Sequence, residues 1–154
     1  MGSYADDALF MSRNNIEYVE LISDDGKSKV MVIPAWQGRV MTTSAAGDEG
    51  DSYGWINYSF IKKRQIDLQF NPVGGEERFW LGPEGGVFSL YFRQGEKQIY
   101  KNWKVPPVLD IEAFKIQSQS KNCICLTKEG CLTNACGTTS VSYTHLTLPT
   151  ICSV

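Results

Sequence analysis

The chain has 154 residues, 42% of them hydrophobic and 21% charged, with a net charge of −2. A chain of this size buries roughly 70% of its extended surface, so there is room for one domain with a real core. The slightly acidic balance argues against a nucleic-acid or anionic-membrane partner, and no apolar run approaches the ~20 residues of a membrane-spanning helix.

Residues 1–13 read as a lead-in. They carry Asp6 and Asp7 where a secretory signal has a basic start and an apolar block, so the expected compartment is the cytoplasm unless an upstream segment directs export. Residues 16–23, Ile-Glu-Tyr-Val-Glu-Leu-Ile-Ser, have strand composition and run into Asp24-Asp25-Gly26, a hairpin signal. The return strand, residues 29–34, is apolar on both faces, which predicts a central position in the sheet. A third strand over residues 39–45 completes an antiparallel meander. Residues 46–54 form a polar, glycine-rich loop.

Gly54-Trp55-Ile56-Asn57-Tyr58 gathers three large side chains around one amide. Asn57 is there either a buried amide satisfied by backbone or a ligand contact. Residues 59–64 suit one short helix whose solvated end carries Lys62, Lys63 and Arg64, a triplet too short for a nucleic-acid patch.

Residues 74–86, Gly-Gly-Glu-Glu-Arg-Phe-Trp-Leu-Gly-Pro-Glu-Gly-Gly, are the most distinctive stretch. Glycines let a backbone take positive φ and approach a ligand closely. Arg78 supplies a planar fork of donors, and Trp80 a flat apolar face with one polar edge. Such a loop suits a sugar site; it equally suits a tight structural crossing with Glu77 and Arg78 merely solvated. Adjacent carboxylates such as Glu76 and Glu77 diverge on a strand, which argues against a glycoside-hydrolysis pair.

Residues 87–92, Val-Phe-Ser-Leu-Tyr-Phe, alternate as a strand, and Pro106-Pro107 ends regular structure before the next one. Over residues 113–118, Phe114 and Ile116 alternate with Lys115 and Gln117, a half-buried strand. Lys121-Asn122 turns the chain into residues 123–127, a second hairpin. Strands at this spacing, with almost no helical periodicity, predict an all-β antiparallel sandwich.

The five cysteines all fall in the last third. An odd, clustered set is not a disulfide framework. The spacing of Cys123, Cys125, Cys131 and Cys136 contains no C-x-x-C pair of a usual zinc site, so buried free thiols are expected, with no metal and no cofactor. From Gly130 onward there is no Asp, Glu, Lys or Arg. Residues 141–154 resemble translated sequencing-adapter read-through, so residues 140–154 are expected to be a non-native tail. That expectation sets aside Cys152 and His145, the chain's one histidine. The alternative is a genuine threonine-rich strand.

Residues 74–86, together with Gln-Gly-Arg-Val-Met-Thr (37–42) and Gly-Trp-Ile-Asn-Tyr (54–58), resemble an uncharacterised bacterial group. That group is similar to the galactose mutarotase (aldose 1-epimerase) superfamily. The resemblance covers about residues 14–138, and residues 14–139 would form the N-terminal half of a large β-sandwich with carbohydrate in a concave cleft. It implies a small-molecule carbohydrate ligand. Arg78 would donate to its oxygens, Trp80 would stack on its C–H face, and Glu77 and Glu84 would accept hydroxyl protons or hold Arg78. Arg39 and Asn57 complete the candidate contacts. Superfamily enzymes open and reclose an aldose ring with a histidine acid and a carboxylate base. Nothing here matches the histidine motif, so the reactive groups are expected beyond the fragment and the chain as given is expected to be inactive and poorly soluble. The alternatives are a non-catalytic carbohydrate-binding sandwich and a purely structural β-domain.

Overall fold

The computed structural model describes residues 2–149. It opens with a helix, α1 (Tyr4–Arg13), where the sequence reads only as a lead-in. Ser3 and Asp6 form a capping box: the Asp6 N–H donates to Ser3 Oγ at 3.2 Å, and the Ser3 N–H to Asp6 Oδ2 at 3.0 Å. Such a cap contributes about 1 kcal/mol. The loop over residues 46–54 takes up further donors at the helix start, Tyr4 N–H to Gly50 O at 3.0 Å and Ala5 N–H to Asp48 O at 2.9 Å, so these N–H groups have partners despite burial.

The expected meander is present as β1 (Val19–Ile22), β2 (Lys29–Ile33) and β3 (Arg39–Ser44), antiparallel and in that spatial order. β2 is central, and its alternation feeds two cores. Met31 and Ile33 pack with Tyr4, Met11, Met41, Ile56 and Ile61. Val32 packs with Leu21, Val40, Phe114, Ile124 and Leu126. A register shift between Met31 and Val32 leaves Met41 as an extra residue in β3, a bulge that keeps both Val40 and Met41 buried. Each fully buried side chain of this kind contributes roughly 1.5–3 kcal/mol.

The second sheet is β4 (Lys115–Gln119), β5 (Cys123–Thr133) and β6 (Thr139–Pro149), also antiparallel. Phe114 is buried as expected, but Ile116 is 40% exposed. The Phe114 N–H donates to Pro34 O at 2.8 Å, which draws Phe114 onto the first sheet, whereas all five positions of β4 stay exposed. β6 is built from residues read as a tail. It pairs with β5 from Thr133↔Thr139 to Cys123↔Pro149, placing His145 opposite Thr127. The rest of that stretch, residues 150–154 with Cys152, lies outside the described residues.

Residues 87–92 form turns and bends instead of the expected strand. The Ser89 N–H donates to Gly86 O at 3.1 Å, and its hydroxyl donates to Glu84 O at 2.8 Å. A serine that bonds its own neighbourhood in this way competes with a sheet ladder. The result buries Tyr91 and Phe92 and leaves Val87 and Phe88 outside. The molecule is therefore β-rich, with two small antiparallel sheets and little helix. Among the described residues no helix is long and apolar enough to cross a membrane.

α1 is tied down by a buried polar chain. Asp7, 2% exposed, accepts from the Ser52 and Tyr58 hydroxyls. Thr42 Oγ1 lies 2.5 Å from Ser52 Oγ and accepts from the Gly54 N–H at 2.9 Å. Burial, reinforced by the Asp7 hydrogen bond, pushes the Tyr58 phenol up to about 12. Because that value exceeds the ordinary value of about 10 for an unfolded chain, the contribution of the neutral phenol is complete below pH ~10 and is lost as pH rises through the folded value. A difference titration of phenolate absorbance, wild type minus Tyr58→Phe, is expected to show a midpoint near 12. A midpoint near ~10 would contradict the burial of the phenol together with its Asp7 contact.

Candidate functional site

The glycine-rich stretch divides into a strap and an inward turn. Gly74 and Gly75 have φ of 94° and 113°, a region where L side chains are strained. The Gly75 N–H donates to Trp55 O at 2.8 Å, the Glu76 N–H to Val40 O at 2.9 Å, and the Val40 N–H to Glu77 O at 3.0 Å. A Cβ on Gly74 would lie 2.2 Å from Trp55 O. Residues 74–77 therefore lie directly on the start of β3 and on residues 54–56. Glu76 accepts from Thr43 Oγ1 at 3.0 Å, while Glu77 is exposed and its backbone makes the contacts.

Arg78 then turns inward and meets Arg39 at a shared carboxylate, Asp110. Asp110 Oδ1 lies 3.5 Å from Arg78 Nη2 and 3.9 Å from Arg39 Nη2. Asp110 Oδ2 accepts from the Asn71 N–H at 2.9 Å and from Asn71 Nδ2 at 2.8 Å. The Asp110 and Arg39 side chains are 3% and 2% exposed. Pro107 holds Asp110 in place through its carbonyl, which accepts from the Asp110 N–H at 3.1 Å and the Ile111 N–H at 2.9 Å. Arg39 Nη1 donates to Gly74 O at 2.9 Å, and Arg78 Nη2 also donates to Leu109 O. Burial, with Arg78 alongside, pulls the Arg39 guanidinium down to about 10 against the opposing pull of Asp110, and it remains charged at neutral pH. Burial also lowers Arg78, again opposed by Asp110. Arg39 Nε and Nη2 and Arg78 Nε are buried without a hydrogen-bond partner among the described residues, so the donors of the pair outnumber the acceptors around them.

Arg78 also lies over the Trp80 ring, its Cζ 4.2 Å from the centroid, a cation–π arrangement. Trp80 starts an aromatic row: Tyr91 at 5.2 Å, Trp103 stacked on Tyr91 at 5.6 Å, and Tyr100 stacked on Trp103 at 6.3 Å. Trp80 Nε1 donates to Glu84 Oε1 at 2.9 Å. The structure thus brings Arg78, Trp80, Glu84 and Arg39 into one neighbourhood, with a face of the indole covered by a guanidinium. Glu77 stands apart in solvent. Asn57 caps α2 (Tyr58–Lys63): its Oδ1 accepts from the Phe60 N–H at 3.2 Å and its Nδ2 donates to Pro72 O at 2.9 Å, so both ends of the amide serve the fold.

Asp110 and Asn71 also line a hollow of about 280 Å³, walled by Trp36, Phe60, Arg64 and Ile111. Trp36 belongs to a 3-10 turn, Pro34–Trp36, and Arg64 is the left-handed C-cap of α2, with Nη2 donating to Asn14 O at 3.4 Å. A larger hollow of about 440 Å³ runs beside Tyr91, Lys104 and Asn134; its cations Arg93 and Lys104 are exposed, as Arg64 is, but it holds no buried carboxylate like Asp110. Trp36, Asn71 and Asp110 are absent from the candidates read from sequence. Asp110 carried a signal: it is a lone carboxylate within Val-Leu-Asp-Ile after two prolines, the setting of a charge that folding buries. The cysteines correct a smaller expectation, since Cys131 and Cys136 are exposed thiols. Hydrogen bonds from Thr138 lower the Cys136 thiol.

A β-rich chain with one buried and one half-buried arginine on a buried carboxylate, beside a partly apolar hollow, is the class that fold and site define. By sequence the chain belongs to a family of unknown function, DUF6786, whose profile matches residues 2–142. No curated protein and no solved structure matches it.

Proposed function

We propose that this chain is a carbohydrate-binding protein of the aldose-epimerase-like kind, built as an antiparallel β-sandwich, and that its sugar occupies the hollow beside Asp110. The observation that carries the reading is a buried carboxylate, held by Asn71 and two guanidiniums, in the wall of a hollow that also contains the Trp36 indole. Apolar walls with a few convergent polar groups are the usual form of a small-molecule site, and an indole offers the C–H face of a pyranose a flat partner. The sandwich is supported by the apolar contact of the two sheets through Leu21, Val32, Val40, Ile124 and Leu126.

Ring opening needs a proton donor as well as a base, and among the described residues the lining offers a carboxylate with cationic neighbours and no imidazole. Binding without anomer exchange is therefore the favoured form of the proposal. The test titrates the full chain with a panel of neutral and acidic monosaccharides, following tryptophan fluorescence and calorimetry, with polarimetry for anomer exchange. At least one sugar is expected to bind, and Trp36→Ala to abolish binding while melting stays cooperative. If Trp80→Ala abolishes binding instead, the sugar lies on the Arg78 loop. Absence of binding by every sugar would overturn the reading.

A further inference from the structure

We infer that the larger hollow, of about 440 Å³, is a second binding site and takes a small carboxylate with an apolar body, as a medium-chain fatty acid has. Its floor belongs to a third apolar cluster, in which Tyr91, Phe92, Val105 and Leu132 are packed together and buried. Backbone hydrogen bonds fix the segments that carry these residues. The Lys104 N–H donates to Tyr91 O at 2.9 Å, the Val105 N–H to Gln69 O at 2.9 Å, and the Ala135 N–H to Ser89 O at 2.7 Å. Pro106 and Pro107 add apolar lining on a backbone of fixed φ. Leu68, also on the lining, is 84% exposed. The volume falls within the roughly 300–1,000 Å³ of small-molecule sites.

The charges on this lining have one sign. Arg93 and Lys104 carry them, and neither makes an ion pair among the described residues. No Asp or Glu lies on the lining among the described residues. Asn134 Oδ1 accepts from the Thr138 N–H at 2.9 Å and from the Cys136 thiol at 3.0 Å, so the donor end of that amide is the uncommitted one. Two unpaired cations beside low-dielectric walls concentrate an anion, and apolar surface laid against the lining and Leu68 leaves water at a gain proportional to its area. The rings of the floor offer a sugar no open face. Tyr91 is 1% and Phe92 8% exposed, and Tyr91 is already stacked on Trp103 at 5.6 Å.

The experiment is calorimetry of the full chain with octanoate, octanol and octylamine, which share one apolar body and differ in charge. Octanoate is expected to bind about tenfold or more tightly than octanol, and octylamine no more tightly than octanol. Arg93→Gln and Lys104→Gln should melt as the wild type does and each weaken octanoate about fivefold, the scale of one exposed charge pair, with octanol unchanged. Leu68→Ser should weaken octanoate and octanol alike. Equal affinity for octanoate and octanol would overturn the inference, as would octanoate binding that neither charge variant alters, or no binding of octanoate. Loss of octanoate binding in Trp36→Ala would put the carboxylate in the hollow beside Asp110 and overturn it as well. None of these outcomes bears on whether a sugar binds beside Asp110.

Discussion

Replacing Asp110 by alanine is expected to lower the free energy of unfolding by about 3–5 kcal/mol, the range seen when one partner of a buried ion pair is removed. The reason is what remains behind. Arg39, 2% exposed, and Arg78, 21% exposed, would face each other as like charges with their carboxylate gone. Asn71 would lose the acceptor of its N–H and of its Nδ2, now at 2.9 and 2.8 Å. Domains of this size have only about 5–15 kcal/mol of stability in total, so Asp110→Ala should sit at the edge of folding. Asp110→Asn keeps the shape and an acceptor for Asn71 but removes the charge, and its loss should be smaller. Urea unfolding followed by circular dichroism and by the fluorescence of Trp80 and Trp103 measures both variants. A loss under about 1 kcal/mol for Asp110→Ala, the scale of an exposed ion pair, would mean that the guanidiniums do not depend on this carboxylate.

The first sheet was legible because its chemistry is local. Alternation in residues 16–45, one Asp-Asp-Gly turn and a strand apolar on both faces suffice to place β2 between β1 and β3. The short helix α2 was legible for the same reason, whereas Asn57, read as a buried amide or a ligand contact, proves to be its N-cap. α1 was missed because it buries only Tyr4, Asp7 and Met11, a stripe too thin to outweigh its polar residues, although Ser3 and Asp6 spelled a capping box. Residues 87–92 were misread because alternation of Phe88, Leu90 and Phe92 says nothing of where the Ser89 hydroxyl goes. The cationic half of the site was legible by residue type: Arg78 and Trp80 are two apart in sequence and meet as a guanidinium over an indole. Asp110 was not, because it joins Arg78 across 32 residues of sequence, and no local pattern encodes that meeting.

Gly74→Ala is expected to destabilise the protein by about 3 kcal/mol, the sum of a positive-φ cost of roughly 1–2 and an overpacking cost of roughly 1–3. Gly74 has φ of 94°, and an added Cβ would meet Trp55 O at 2.2 Å and Ile56 Cα at 3.1 Å. Both atoms are backbone, so no side-chain rotation relieves the contact. The strap must lift, and lifting it moves Gly74 O away from Arg39 Nη1, now 2.9 Å distant. The substitution therefore reaches the charged cluster through the backbone, without touching any charged side chain. Gly85→Ala lies in the same glycine-rich stretch, yet its Cβ would meet nothing nearer than Gln98 Oε1 at 3.8 Å. It should change stability by no more than about 0.5 kcal/mol, as exposed substitutions do. Thermal and urea unfolding of the two variants side by side checks the contrast. Equal and small effects would mean that Gly74 is not pressed onto residues 55–56, and that close approach of the backbone is not what this glycine is for.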